Sequence, residues 1–454
     1  MPADVASAAG AVPGGRAKPG LPSAPMVEAP RVLSIAIVGC GPSGMAAALL
    51  LSRLGHRVRI FERFVAPRPV GAGLLLQPTG LAVLSRLGLA ESIAAAGARI
   101  DRLDGRAVPS GRKILDVAYA DLGPGIHGVA IHRASLFDAL YDAVSRAGID
   151  ITPGTTIAAI EPGADRRPVL RDGLGRTHGG FDLLVDASGA QSALRAGLSA
   201  APPRPFAYGA LWTTLPLAGH AFDPAVLAQR YVAARHMIGV MPLGTAPGAT
   251  GPHAAFFWSI RRDRVEAWKK AGLAAWRDEV RAIWPEAALL IAGIDDPALL
   301  QPAFYAHFTA RMPVGPRFAL IGDAAHSTSP QLGQGANMGL LAALALSEAI
   351  ERHASLEAAL PAYAAARRRN VRFYQAASDW LTPLFQSDSL AAARLRDLGL
   401  PALARFGYFR RETIRALAGL KTGLFSTDGS ALATVKAAGP ASPATPLQES
   451  RRTP

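Results

Sequence analysis

The sequence predicts an α/β fold: a Rossmann-like nucleotide-binding domain, a β-rich substrate domain and a helical C-terminal part. Three observations predict it. The apolar run Ile35-Ala36-Ile37-Val38 leads into the glycine-rich segment Gly39-Cys40-Gly41-Pro42-Ser43-Gly44 and then into a helix-forming stretch from Met45 to Leu54. Between about 205 and 262, proline and glycine turns separate short apolar segments. From Leu340 to about Leu420 the pattern is helical. Alternation of strand and helix periods in one chain is the mark of this class.

Composition sets the outer bounds. The chain has 454 residues, 50% hydrophobic and 18% charged, enough to bury a large core and to exclude a fibrous or wholly disordered chain. No apolar stretch reaches the roughly 18 residues a membrane-spanning helix needs. Cys40 is the one cysteine, so an intrachain disulfide and a dithiol redox centre are excluded, and a structural zinc site is not expected. These counts suit a cytoplasmic protein. The net charge is +14, and the 48 cations are mostly arginine. They are scattered rather than gathered into a nucleic-acid-type run, so no nucleic acid is expected as a partner. The surplus does admit attraction of anionic dinucleotides, and of an acidic membrane surface by peripheral contact.

Residues 1–30 and about 430–454 are rich in Ala, Pro and Gly and poor in large apolar groups. They are expected to be disordered tails, because they cannot repay the entropy of ordering. The first strand and helix are followed, after Gly55, by a second strand, Val58-Arg59-Ile60-Phe61. This is a βαβ unit. Its loop fits GxGxxG, and Glu62 ends the second strand. Gly39 allows the tight turn, Gly41 lets backbone approach a pyrophosphate, and Gly44 lets helix pack on strand. The helix N-terminus offers free N–H groups to phosphates, and Glu62 can accept from ribose hydroxyls. Cys40 reads as packing.

A second GxGxxG, Gly123 to Gly128, is rejected. Asp121 interrupts the apolar stretch before it, and Val129-Ala130-Ile131 after it reads as strand rather than helix. One dinucleotide site remains. Residues 181–186 and 318–321 read as further buried strands. Met237 to Met241 and Ala254 to Trp258 read as strands of a mostly antiparallel second sheet. The strand at Phe318 ends in Gly322-Asp323, and Ser329 to Gly339 forms a second glycine-rich loop running into a long helix. That loop is a second anion site. In the helical part Pro361, Pro383 and Pro401 read as punctuation between helices.

At these residues the chain resembles the FAD-dependent aromatic hydroxylases of the p-hydroxybenzoate hydroxylase type, over about residues 33 to 425. The resemblance rests on Gly39 to Glu62, on Gly322-Asp323 to Asn337, and on a middle motif, residues 182–195. Looser likeness to the ubiquinone-biosynthesis hydroxylases runs from Phe385 to Gly419. The resemblance implies FAD as cofactor. It assigns to it Gly39, Gly41, Pro42, Ser43, Gly44, Glu62 and Arg63 from the first loop. Arg133 matches a family arginine that reaches the FAD backbone. Asp323, Pro330, Gly333, Gln334, Gly335, Ala336 and Asn337 complete the set. It implies domains at 31–200 and 301–350 for FAD, 201–300 for substrate and 351–429 for the helical closure.

The implied activity is monooxygenation. Reduced FAD and O₂ give a C4a-hydroperoxide, which hydroxylates or epoxidises an apolar aromatic or quinone-like molecule. NAD(P)H is the implied electron donor, with a separate flavin reductase as the other source. In the middle motif the usual Gly-Ala-Asp-Gly reads Asp186-Ala187-Ser188-Gly189 here, so a carboxylate linked to nicotinamide access is replaced by Ser188. Tyr208, Trp212, Phe256, Phe257 and Trp258 are pocket candidates, with sheet core as the alternative for about half. His326 is expected to be structural and hydrogen-bonded, and no catalytic acid or base is assigned. Two related flavin chemistries stay open. A halogenase shares the Asp-Ala-Ser-Gly wording but would need a lysine that is absent between Gly44 and Lys113. A double-bond reductase of the geranylgeranyl reductase type tolerates the same wording. A non-catalytic flavoprotein is the reading from a different class.

Overall fold

The computed structural model describes residues 32–66, 73–198 and 202–429. Both expected tails therefore lie outside the described residues. The first sheet has six strands in the order Val314–Gly315, Phe318–Leu320, Leu183–Asp186, Ser34–Val38, Arg57–Phe61, Asp150–Thr152. All neighbours are parallel except the first pair. The central strand buries Ile35, Ala36 and Ile37 completely, because a parallel sheet is covered on both faces. Its register sets Ile37 against both Ile60 and Val185.

Parallel pairing has one consequence that shapes the site. The carboxyl ends Val38, Phe61, Asp186 and Leu320 fall on the same edge, so the loops after them meet there. The strands hand on to each other beyond their ends. Gly39 N–H donates to Phe61 O at 2.8 Å, Ala187 N–H to Val38 O at 2.8 Å, and Ile321 N–H to Asp186 O at 3.0 Å.

Ten helices are described in chain order: α1 (Pro42–Arg53), α2 (Pro78–Arg86), α3 (Ala90–Ala96), α4 (Arg133–Arg146), α5 (Val265–Ile283), α6 (Pro285–Leu290), α7 (Gly335–Arg352), α8 (Leu356–Phe385), α9 (Leu390–Ala404) and α10 (Gly407–Leu417). Met45, Leu49, Leu340 and Leu346, from α1 and α7, share one core with Ile35 and Ile37. The prolines expected to separate the C-terminal helices lie inside them: Pro361 and Pro383 in α8, Pro401 in α9. The breaks are set instead by N-caps. The Ser355 hydroxyl accepts from Ala358 N–H and the Ser389 hydroxyl from Ala392 N–H.

The second large sheet has eight strands: His326–Ser327, Gln301–Thr309, Arg204–Pro216, His253–Arg261, His236–Gly244, Val226–Val232, Arg102–Ala107, Lys113–Ala118. It is antiparallel except for one pair, Val226–Val232 beside Arg102–Ala107. It thus extends beyond residues 201–300 at both edges. Phe256 and Trp258 point to the face covered by Trp276 of α5, whereas Phe257 points to the face that meets Phe385 of α8. The rejected second GxGxxG does lead into a strand, Gly128–His132, paired between Gly73–Leu76 and Ala98–Ile100. No helix among the described residues is long and apolar enough to cross a membrane.

Candidate active site

The first loop behaves as its three glycines require, each for a separate reason. Gly39 has φ +107°, and a methyl group there would stand 2.5 Å from Ala187 O. A methyl group on Gly44 would stand 2.1 Å from Gly39 O, so only glycine lets α1 sit this close. Gly41 is different. Its φ of −83° suits any residue, and a methyl group there would meet nothing within 4 Å. The protein's own packing does not demand glycine at 41, and the space in front of it is open.

Glu62 is buried and holds the loop in place. Its carboxylate accepts from Cys40 N–H at 2.7 Å and from Phe64 N–H at 3.0 Å. Each oxygen keeps a second lone pair for a ligand hydroxyl. Burial, with the Glu62 charge beside it, pushes the Cys40 thiol up to about 12. That supports packing as the role of Cys40. Pro42 begins α1. The Ser43 side chain is wedged against Gly322 and Gly339, where added methyl groups would stand 2.7 and 2.1 Å from its Oγ. Arg63 is exposed, with its guanidinium 4.8 Å from the Phe64 ring centre.

In the middle motif Ser188 has a partner of its own. Asp186, wholly buried at the strand end, accepts from Ser188 N–H at 2.9 Å and from Ser188 Oγ at 2.6 Å. Ser192 Oγ binds the other carboxylate oxygen at 2.5 Å. Burial raises the Asp186 pKa, and these hydroxyls and Arg195 oppose the rise. A carboxylate is therefore present two residues earlier, facing inward, and Ser188 is its donor.

Across the edge stands Asp323. Its side chain is open to solvent, yet surrounding protein desolvates it enough to raise its pKa. Arg133, the first residue of α4, lowers the Asp323 pKa and also that of Tyr305, so the three lie together. Gly335 follows within reach: a methyl group on it would lie 3.8 Å from Asp323 Oδ1. Pro330 opens a short turn that ends at Gly333 with φ +60°. Gly335 and Ala336 start α7 half-exposed, so their N–H groups and that of Asn337 are free of intrahelical bonds.

Two assigned side chains are spent within the protein. Asn337 Nδ2 donates to Leu75 O at 3.1 Å and to Gly333 O at 2.9 Å, and its Oδ1 accepts from Gln77 N–H at 2.9 Å. Gln334 Nε2 donates to Leu417 O at 2.6 Å. Both brace the loop, leaving only their backbone for a ligand.

His326 departs from expectation. It is buried, but neither ring nitrogen has a hydrogen-bond partner among the described residues. Burial and nearby Arg367 hold its pKa down to about 3, so it stays neutral and is a poor base. Of the aromatic candidates, Phe256 and Trp258 are core, and Tyr208 donates to Asp388 at 2.8 Å. Trp212 is half-buried, 4.7 Å from Phe257 by ring centres, with its indole beside the Tyr305 hydroxyl. Tyr305, beside Trp212 and Arg133, was not singled out by the sequence. The alternation Ala303, Tyr305, His307 along its strand was the available signal.

The edge thus offers two helix N-termini, an open backbone approach at Gly41, and the acids Glu62 and Asp323 on opposite sides. A molecule with a diphosphate between two polyol-bearing ends fits that spacing of functions, and FAD is such a molecule. A family model described as FAD binding domain matches residues 32–376. The chain is 31% identical over 322 residues to the 3-amino-4-hydroxybenzoate 2-monooxygenase of Streptomyces cremeus, covering 68% of this chain and 76% of that one. It is 30% identical over 344 residues to the salicylate hydroxylase of Pseudomonas putida, covering 68% and 75%. Among solved structures, Klebsiella pneumoniae HpxO complexed with FAD and uric acid shares the fold, with a TM-score of 0.71 at 21% identity over 85% of this chain and 97% of that one. These relatives favour the monooxygenase reading over the halogenase and reductase readings. The chain belongs to the FAD-binding-domain family, as an FAD-dependent aromatic hydroxylase.

Proposed function

We propose that this monooxygenase inserts one oxygen atom of O₂ into a planar, largely apolar aromatic or quinone-like molecule. The second oxygen atom leaves as water, and NAD(P)H supplies the two electrons. The observation that carries this is the convergence of Gly41, Glu62, Arg133 and Asp323 on one sheet edge, beside the half-buried Trp212 and Tyr305. FAD, when bound, supplies the activation of O₂. The protein's part is binding, orientation and exclusion of water. The N–H groups of Gly41, Ser43 and Gly44 and the positive end of α1 hold the diphosphate. Glu62 and Asp323 accept from polyol hydroxyls. The free N–H groups of Gly335, Ala336 and Asn337 stabilise negative charge on the reduced cofactor. Trp212 Nε1 and the Tyr305 hydroxyl orient the substrate, and Phe257 forms its apolar wall.

In this reading residues 31–200 and 301–350 hold the cofactor. Residues 201–300, with the strands at 102–118 joined to their sheet, hold the substrate, and 351–429 complete the site. The protein works in the cytoplasm, which its single cysteine suits. The substrate class draws support from the relatives, which are named for aminohydroxybenzoate and salicylate.

Anaerobic reduction of the bound flavin by NADH and by NADPH, with and without a panel of hydroxybenzoates and quinolones, tests the donor and the substrate class together. One nicotinamide should bleach the flavin, faster with a cognate aromatic. The commitment of Ser188 to Asp186 favours a second arrangement, with electrons delivered by a separate flavin reductase. Turnover only when such a reductase is added would establish it. No bleaching and no reductase-supported turnover would overturn both.

A further inference from the structure

The exposed apolar side chains are unevenly placed. Ten of the sixteen large ones among the described residues fall between Trp380 and Phe425. Their centre is the corner of α9 and α10. Along α9, Ala391, Leu395, Leu398 and Ala402 are exposed at helical spacing, while Ala393 and Arg396 are buried on the opposite side. At the corner stand Phe406, 63% exposed, with Tyr408 and Phe409. Their rings touch one another, Phe406 to Phe409 at 6.5 Å and Tyr408 to Phe409 at 5.6 Å between centres. The corner is a fixed part of the fold. Ile414 and Leu417 of α10 are buried in a core with Leu103 and Met241, and the Leu417 carbonyl is held by Gln334.

Charge at this corner is one-sided. Residues 390–417 carry six arginines and two acids. Asp397 is paired with Arg396, and Glu412 with Arg415 and Lys421. Arg410 pairs with Asp121. Arg394, Arg405 and Arg411 are exposed and have no carboxylate partner among the described residues. A monomer rarely leaves a cluster of Leu, Phe and Tyr in water without a use for it. Exposed aromatic rings flanked by unpaired arginines match the lipid–water interface, where the rings sit at headgroup depth and the cations meet anionic headgroups. A copy of the same corner would bring like charges together, so self-association is the poorer fit.

We propose that the α9–α10 corner docks this protein peripherally on an anionic lipid bilayer. Phe406, Tyr408, Phe409, Leu395 and Leu398 enter the interface, and Arg394, Arg405 and Arg411 contact headgroup phosphates. The proposal does not depend on the substrate read for the active site.

Sedimentation of the full-length, FAD-loaded protein with vesicles tests it. The probes are phosphatidylcholine alone and phosphatidylcholine mixed with phosphatidylglycerol. The protein should pellet with the mixed vesicles at low salt and be released by high salt. Arg405→Gln with Arg411→Gln should weaken that binding about 25-fold, at about fivefold for each charge. Phe406→Ser with Phe409→Ser should abolish it while flavin content, the measure of folding, stays at the parent level. Failure to pellet with anionic vesicles at low salt would overturn the proposal. So would unchanged binding by both folded variants, or a protein dimer that the Phe variant dissolves without any vesicle binding.

Discussion

Gly41 and Gly44 look equivalent in the sequence, but the structure gives them opposite fates on substitution. Gly41→Ala places its methyl group in open space at an ordinary backbone conformation. Restricting the unfolded chain gains about 0.4–1 kcal/mol. Replacing glycine as the N-cap of α1 loses about the same, roughly 0.5–1 kcal/mol. The apoprotein should therefore melt within about 2–4 °C of the parent. In the proposed cofactor site the same methyl group would stand in the path by which a diphosphate reaches the loop N–H groups. Loss of one charge-assisted hydrogen bond costs about 1.5–3 kcal/mol, or roughly 10- to 150-fold in FAD affinity. Gly44→Ala drives a methyl group to 2.1 Å from Gly39 O and must move α1. It should destabilise the apoprotein itself, by about 1–3 kcal/mol or more. Apoprotein melting and FAD titration by flavin fluorescence read the two effects separately. Unchanged FAD affinity in Gly41→Ala, or an apoprotein as damaged as that of Gly44→Ala, would refute the assignment of the open space to the cofactor.

Other expectations follow from the same edge. Asp323→Asn should weaken FAD binding, and in the parent the affinity should fall as pH drops through the raised Asp323 pKa. Arg133 favours the Asp323 carboxylate, so Arg133→Met should move that midpoint to higher pH in the same titration. Ser188→Asp replaces a donor to Asp186 with a second carboxylate. Because the Asp186 pKa is already raised by burial, the variant should melt lower than the parent at neutral pH and regain stability on acidification, as the pair takes up a shared proton. A pH-independent melting deficit would contradict this. The Cys40 thiol, pushed up to about 12, should resist alkylation at pH 8 in the native protein and react on unfolding; rapid native labelling would show the loop to be open.

Local patterns were legible in the chain where local physics decides. The apolar run at Ile35, the glycine loop and Glu62 sit within one βαβ unit, so their spacing alone brought loop and acid to one sheet edge. Asp323 was placed at that edge for the same reason, as it follows the end of a buried strand. Long-range pairing was not. The strand Arg102–Ala107 joins the second sheet beside Val226–Val232, and nothing near residue 102 announces a partner more than a hundred positions away. Pro361 misled because a proline inside a helix sacrifices one hydrogen bond that a 30-residue helix can spare. The motif could not tell side chain from backbone at Asn337 and Gln334: their side chains brace Leu75, Gly333 and Leu417, which leaves the backbone for a ligand. The bond from Ser188 to Asp186 was not legible, because the carboxylate it serves belongs to the strand rather than to the loop.

In the proposed reaction this chain uses FAD to place an oxygen atom from O₂ on an aromatic ring. Turnover of an aromatic substrate under ¹⁸O₂ in ordinary water, with product mass as the readout, tests it most directly. The protein should be yellow and the product should carry one ¹⁸O atom. A product carrying oxygen from water, or O₂ consumption with the aromatic unchanged for every compound that stimulates it, would rule that reaction out.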